Sequence, residues 1–229
     1  MNALYLLLDL GAISIPFAFS FYPKANFSKK WKHLLPALLI PAFIFILWDI
    51  QFTQMGVWGF NARYVTGINL INLPVEEILF FICIPYACLF TYEAIGHFFG
   101  GKLSPAPGNY ISILLLFFLF TLGILNFGRW YTATTFLGLF AFLIIAKSRL
   151  PPKKLTQFFL SYVLILFPFF LINGVLTGSW IEEEVVWYNN EENLGLRLGS
   201  IPLEDVFYGM LLILMNVTLF ERFQHKRSS

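Results

Sequence analysis

The chain has 229 residues, of which 58% are hydrophobic, 19% aromatic and only 12% charged, and its mean hydropathy is +0.73. That composition excludes an ordinary soluble domain and predicts an integral membrane protein with room for about seven spans of ~20 residues. A net charge of +2 is too small to point to a nucleic-acid partner.

Seven spans are predicted in chain order: Leu4–Phe21, Leu34–Ile50, Pro74–Ile95, Tyr110–Phe127, Tyr131–Ala146, Leu155–Leu176 and Pro202–Phe220. The first has no basic residue before it, contains Asp9 and lacks a small-x-small cleavage site, so a membrane anchor is expected there and not a signal peptide. Pro36 and Pro41 in the second span and Pro168 in the sixth are tolerable where neighbouring helices satisfy the freed backbone groups.

Basic residues mark the orientation. With the N-terminus outside, Lys24, Lys29, Lys30, Lys32, Lys102, Lys147, Arg149, Lys153, Lys154, Arg222, Lys226 and Arg227 fall on one side, and only Arg63, Arg129 and Arg197 on the other. The positive-inside rule then predicts a multi-pass protein of the cell inner (cytoplasmic) membrane, with the N-terminus outside and the C-terminus cytoplasmic. Most acids map to the outer half, and the loop run Glu182–Glu184 reads as charge segregation without chemistry. Cys83 and Cys88 stand five apart in the third span with no His or further Cys at ligand spacing, so no metal site is expected.

Two stretches say almost the same thing. Pro74-Val75-Glu76-Glu77 and Pro202-Leu203-Glu204-Asp205 each put adjacent carboxylates in the first turn of a long apolar helix. Proline first and acids next is what any helix start prefers. Here the residues that follow are apolar on every face, where acids are costly and mark functional sites by default. Around them, Asp49 and Thr53 match Asn173 and Thr177, and Val57-Trp58 matches Val186-Trp187 within a long loop, the second loop being about four residues longer. The expected fold class is an all-α integral membrane bundle of seven transmembrane helices. Two parallel three-helix repeats, residues 1–98 and 130–229, are joined by a linker helix within residues 99–129.

On these residues the chain resembles the heterodimeric-type lycopene cyclases of carotenoid synthesis, whose two three-helix units each carry a Pro-x-Glu-Glu or Pro-x-Glu-Asp motif. In some members the units are separate chains, and this chain is similar to the fused form over essentially its whole length. The resemblance implies an intramolecular lyase or isomerase that closes the linear ends of lycopene, or a related acyclic carotenoid, to a β-type ring. It implies Glu76, Glu77, Glu204 and Asp205 as the acid/base set. The support is expected from Pro74, Pro202, Asp49, Asn173, Thr53, Thr177, Trp58 and Trp187.

The chemistry suits those residue types. A proton on the terminal double bond gives a tertiary carbocation, the neighbouring double bond closes the ring, and loss of another proton leaves an alkene. A buried, crowded carboxyl can keep the proton such a step needs, and aromatic faces can hold the cation. No Gly-x-Gly-x-x-Gly fingerprint is present, so no flavin, nicotinamide or other cofactor is expected. The implied partners are a lipid-soluble C40 polyene, the lipid bilayer and other carotenoid-synthesis enzymes.

Two other classes share these features. A proton-coupled transporter also uses intramembrane acids and repeats, but places its acids nearer the bilayer midplane. The other is a non-catalytic subunit of a carotenoid-synthesis complex. A retinal-binding seven-helix protein is excluded because the seventh span has no Lys. The sequence leaves open the ring type, whether one or both ends close, which acid donates, and the oligomeric state. The long loops Gln51–Leu73 and Thr177–Ile201 are expected to close over the outer end as a lid.

Overall fold

A computed structural model describes residues 3–23 and 26–225. Lys24, Lys226 and Arg227, counted above for orientation, lie outside the described residues.

Among the described residues seven α-helices form: α1 Leu4–Phe19, α2 Trp31–Met55, α3 Val75–Phe99, α4 Ala106–Leu125, α5 Trp130–Arg149, α6 Pro152–Leu176 and α7 Leu203–His225. Six are long and apolar enough to cross a membrane; Leu4–Phe19, at 16 residues, is shorter. At 1.5 Å per residue it reaches about 24 Å, less than the ~30 Å hydrocarbon layer. Helix α2 runs five residues past its expected end. Gly56, with φ of 72°, stops it by taking the left-handed conformation and donating to the Phe52 and Thr53 carbonyls.

The loops hold short strands that apolar periodicity does not reveal: β1 Trp58–Phe60, β2 Asn69–Leu70, β3 Leu73–Pro74, β4 Val186–Tyr188, β5 Arg197–Leu198 and β6 Ile201–Pro202. β2 pairs antiparallel with β3, and β5 with β6, in the same register 128 residues later. Each hairpin delivers the chain into an acid-bearing helix. Val75 N donates to Ile68 O and Leu203 N to Leu196 O, both at 2.9 Å. The turn needs a left-handed residue, which is Gly199 in one copy (φ 68°) and the strained, β-branched Ile71 in the other (φ 61°).

The third pairing joins the halves. β1 and β4 run antiparallel with Gly59 opposite Trp187, and Asn61 N to Val185 O (2.8 Å) is mirrored by Asn189 N to Val57 O (2.9 Å). Val57 is therefore the counterpart of Val185, and Gly59 of Trp187. This corrects the expected match of Trp58 with Trp187: the four extra residues of the second loop precede Val185, so the repeat counterpart of Trp58 is Val186.

The helices repeat the pattern. α1 packs on α3 as α5 packs on α7, while α2 packs on α7 as α6 packs on α3. Each half thus lends its second helix to the other's acid-bearing helix. At the ends away from the acids, Lys30 pairs with Glu93 and Lys154 with Glu221, again as counterparts. Helix α4 has no equivalent among the described residues and packs on α5 and α6. The shared core includes Phe45, Phe81, Leu89, Phe136, Leu139 and Val217.

Candidate functional site

The two acids of each motif point to different places because neighbours on a helix lie about 100° apart. The first acid faces the loop before it. Glu76 Oε1 accepts from Thr66 N and Glu204 Oε1 from Leu194 N, both at 2.7 Å, and Thr132 Oγ1 also donates to Glu204 at 2.6 Å. Both residues are fully buried, and the second oxygen of each has no partner among the described residues.

The second acid faces the interior. Glu77 and Asp205, one from each half, line the same cavity of about 520 Å³. Tyr5 Oη donates to Glu77 Oε2 at 2.6 Å, and its counterpart Tyr131 Oη donates to Asp205 Oδ1 at 2.5 Å. Asp205 Oδ2 also accepts from Asn173 Nδ2 and Tyr188 Oη, each at 3.0 Å. Burial, and then the adjacent Asp205 carboxyl, push the Tyr188 hydroxyl well above its ordinary pKa, so it stays a donor. Asp49 accepts from Tyr208 Oη at 2.8 Å and hydrogen-bonds to Glu77.

Counterparts from the two halves line this cavity together: Tyr5 and Tyr131, Asp49 and Asn173, Phe60 and Tyr188, Glu77 and Asp205, Phe80 and Tyr208. The structure therefore makes one composite site from two half-sites. The ribbon of β1 and β4 roofs it through Trp58, Phe60, Val186 and Tyr188. Four rings gather beneath: Trp58 lies 5.0 Å from Tyr131 and 6.1 Å from Tyr208, and Tyr188 stacks on Tyr131 at 5.9 Å. Below the acids the lining is apolar, reaching Thr91 on α3, four turns or about 20 Å further along. Beside α1 and α6 the lining residues Gly11, Ile15 and Pro168 are exposed, which opens the cavity sideways.

Of the residues singled out from sequence, Asp49, Trp58, Glu77, Asn173 and Asp205 meet in the cavity. Glu76 and Glu204 sit behind it, and Pro74 and Pro202 end the strands that set the helix starts. Thr177 Oγ1 donates to Asn173 O at 2.8 Å, whereas the Thr53 hydroxyl has no partner among the described residues. Trp187 lies outside the cavity, 40% exposed, with its ring against Gly59 where no side chain would fit. Sequence reasoning missed Tyr5, Tyr131, Tyr188 and Tyr208. Carrying the repeat alignment back into the first helix of each half would have paired Leu4-Tyr5 with Trp130-Tyr131.

A protein-family model described as "Lycopene cyclase" matches residues 2–95 and 128–223, and the interval it skips contains α4. No curated protein and no solved structure matches the chain.

Proposed function

This chain belongs to the lycopene cyclase family, and on that footing we propose that it closes linear lycopene ends to β-type rings by protonation, ring closure and deprotonation, without net redox change. The observation that carries the reading is the placing of Glu77 and Asp205, from opposite halves, at the head of one apolar cavity.

The four motif acids divide their work. Glu77 and Asp205 exchange protons with the polyene; Glu76 and Glu204 hold the preceding loop through Thr66 and Leu194. Trp58, Tyr131, Tyr188 and Tyr208 surround the reacting end and stabilise the cation with their π-faces. The remainder of the C40 chain lies along the apolar lining and leaves sideways past Gly11 and Pro168 into the bilayer. Water is excluded by the β1–β4 roof, because it would trap the cation as an alcohol.

In the membrane the chain is read as seven spans, α1 included, with a parallel repeat over 1–98 and 130–229 and a linker over 99–129. The few basic residues near the acids, Arg63, Arg129 and Arg197, support an orientation with the site at the outer face of the inner membrane.

Expression in lycopene-accumulating cells tests the function. The wild type converts lycopene to ringed product. Glu77→Gln and Asp205→Asn leave mostly lycopene, since losing an essential proton-transfer group costs about 10²–10⁴ in rate. Glu191→Gln, on an exposed loop, cyclises normally. Normal cyclisation by both cavity variants would sink the assignment.

A further inference from the structure

Equivalent positions in the two halves carry different chemistry. Asp49 and its counterpart Asn173 both line the cavity next to the second acid of a motif. Asn173 donates an N–H to Asp205, whereas Asp49 meets Glu77 carboxyl to carboxyl. An ionised carboxyl only accepts hydrogen bonds, so a hydrogen bond between two of them requires a proton on one. Close carboxylates cannot both ionise cheaply in an apolar site. Tyr5 donates to Glu77 Oε2 and Tyr208 to Asp49 Oδ1, which leaves one oxygen of each carboxyl for the shared proton.

Asp205 is built the other way. Both its oxygens accept, from Tyr131, Tyr188 and Asn173. That is the hydrogen-bond pattern of a carboxylate.

Resting on the cyclase reading above, we infer that the Asp49–Glu77 pair stores one proton and is the donor arm of the site, and that Asp205 is the acceptor. The Glu77 O–H bond breaks and a C–H bond forms at the terminal double bond, the O–H electron pair staying on the carboxyl pair. The next double bond supplies the electrons of the ring C–C bond. The adjacent C–H pair then becomes the ring alkene, and its proton passes to Asp205. Return of that proton to the pair restores the site, with no proton consumed. Glu77 is the catalytic donor and Asp49 a positioning residue that keeps its proton.

Infrared spectroscopy of the purified full chain in lipid nanodiscs tests this apart from activity. A protonated carboxyl has a carbonyl stretch that shifts in D2O. One such band is expected to change in both Glu77→Gln and Asp49→Asn and to stay unchanged in Asp205→Asn. Asp49→Glu, which restores a carboxyl, should keep a shared band and recover at least 10-fold of the cyclisation rate that Asp49→Asn loses. A band removed by Asp205→Asn, or no band that responds to both pair variants, overturns the assignment. If the wild type leaves lycopene linear, the cyclase reading fails while the shared-proton band still stands or falls by itself.

Discussion

At the level of single residues, two adjacent acids acquire different hydrogen-bond partners. Glu76 and Glu77 share a helix turn, yet one accepts from the loop and the other from Tyr5 across the cavity. Asp9 on α1 is a third kind of acid: fully buried, outside the cavity lining, with neither oxygen partnered among the described residues. Its counterpart in the second half is Thr135, also buried and unpartnered. An unsatisfied buried polar group costs about 1–3 kcal/mol. Asp9→Thr, which copies the other half, is therefore expected to keep cyclase activity and raise the melting temperature. A thermal-unfolding scan showing a large drop would mean that Asp9 has a partner the geometry does not display.

At the level of elements, the segments that join the halves at the site's roof, β1 and β4, are short strand and not helix. β1 and β4 cross at Gly59 and Trp187, and Trp58 from this ribbon is 4% exposed against Phe52 and Tyr131. Removing a buried Trp typically costs ~3–5 kcal/mol, and here it also opens the roof. Trp58→Ala should yield hydroxylated, uncyclised product beside a reduced amount of ringed product, as separated by chromatography of extracted pigments. Trp187→Ala, whose ring lies outside the cavity, should leave the product pattern unchanged. The reverse ranking would place the water barrier elsewhere. Strand formation in these loops was not legible, because two- and three-residue strands have no measurable period, and β1 owes its pairing to a segment whose central residue, Trp187, lies 128 positions from Gly59.

For the whole molecule, the consequence of exchanging α2 and α6 between halves is that two acid motifs serve one cavity. On the proposed cyclase reading, this cavity closes one end of the polyene per visit. A time course should therefore show the one-ring product rising before any two-ring product. Two-ring product appearing from the first turnovers, with no one-ring species at any time, would contradict a single composite site.

The helical bundle, the duplication and the placing of an acid pair at two helix starts were legible in the sequence, because hydropathy, helix-start chemistry and repetition are local properties written in consecutive residues. The lycopene cyclase resemblance followed from the same motifs, Pro74-x-Glu76-Glu77 and Pro202-x-Glu204-Asp205. Which acid of each pair faces the cavity was not, since it depends on the helix's rotation against its neighbours, and that is set by packing of α1, α2, α5 and α6. Nor were Tyr188 and Tyr208, whose repeat counterparts are the phenylalanines Phe60 and Phe80 and therefore carry no polar signal. The meeting of Asp49 with Glu77, and of Asn173, Tyr131 and Tyr188 with Asp205, was decided by tertiary structure alone. Hydrogen bonds between groups 17 to 74 positions apart form only once the helices have chosen their partners.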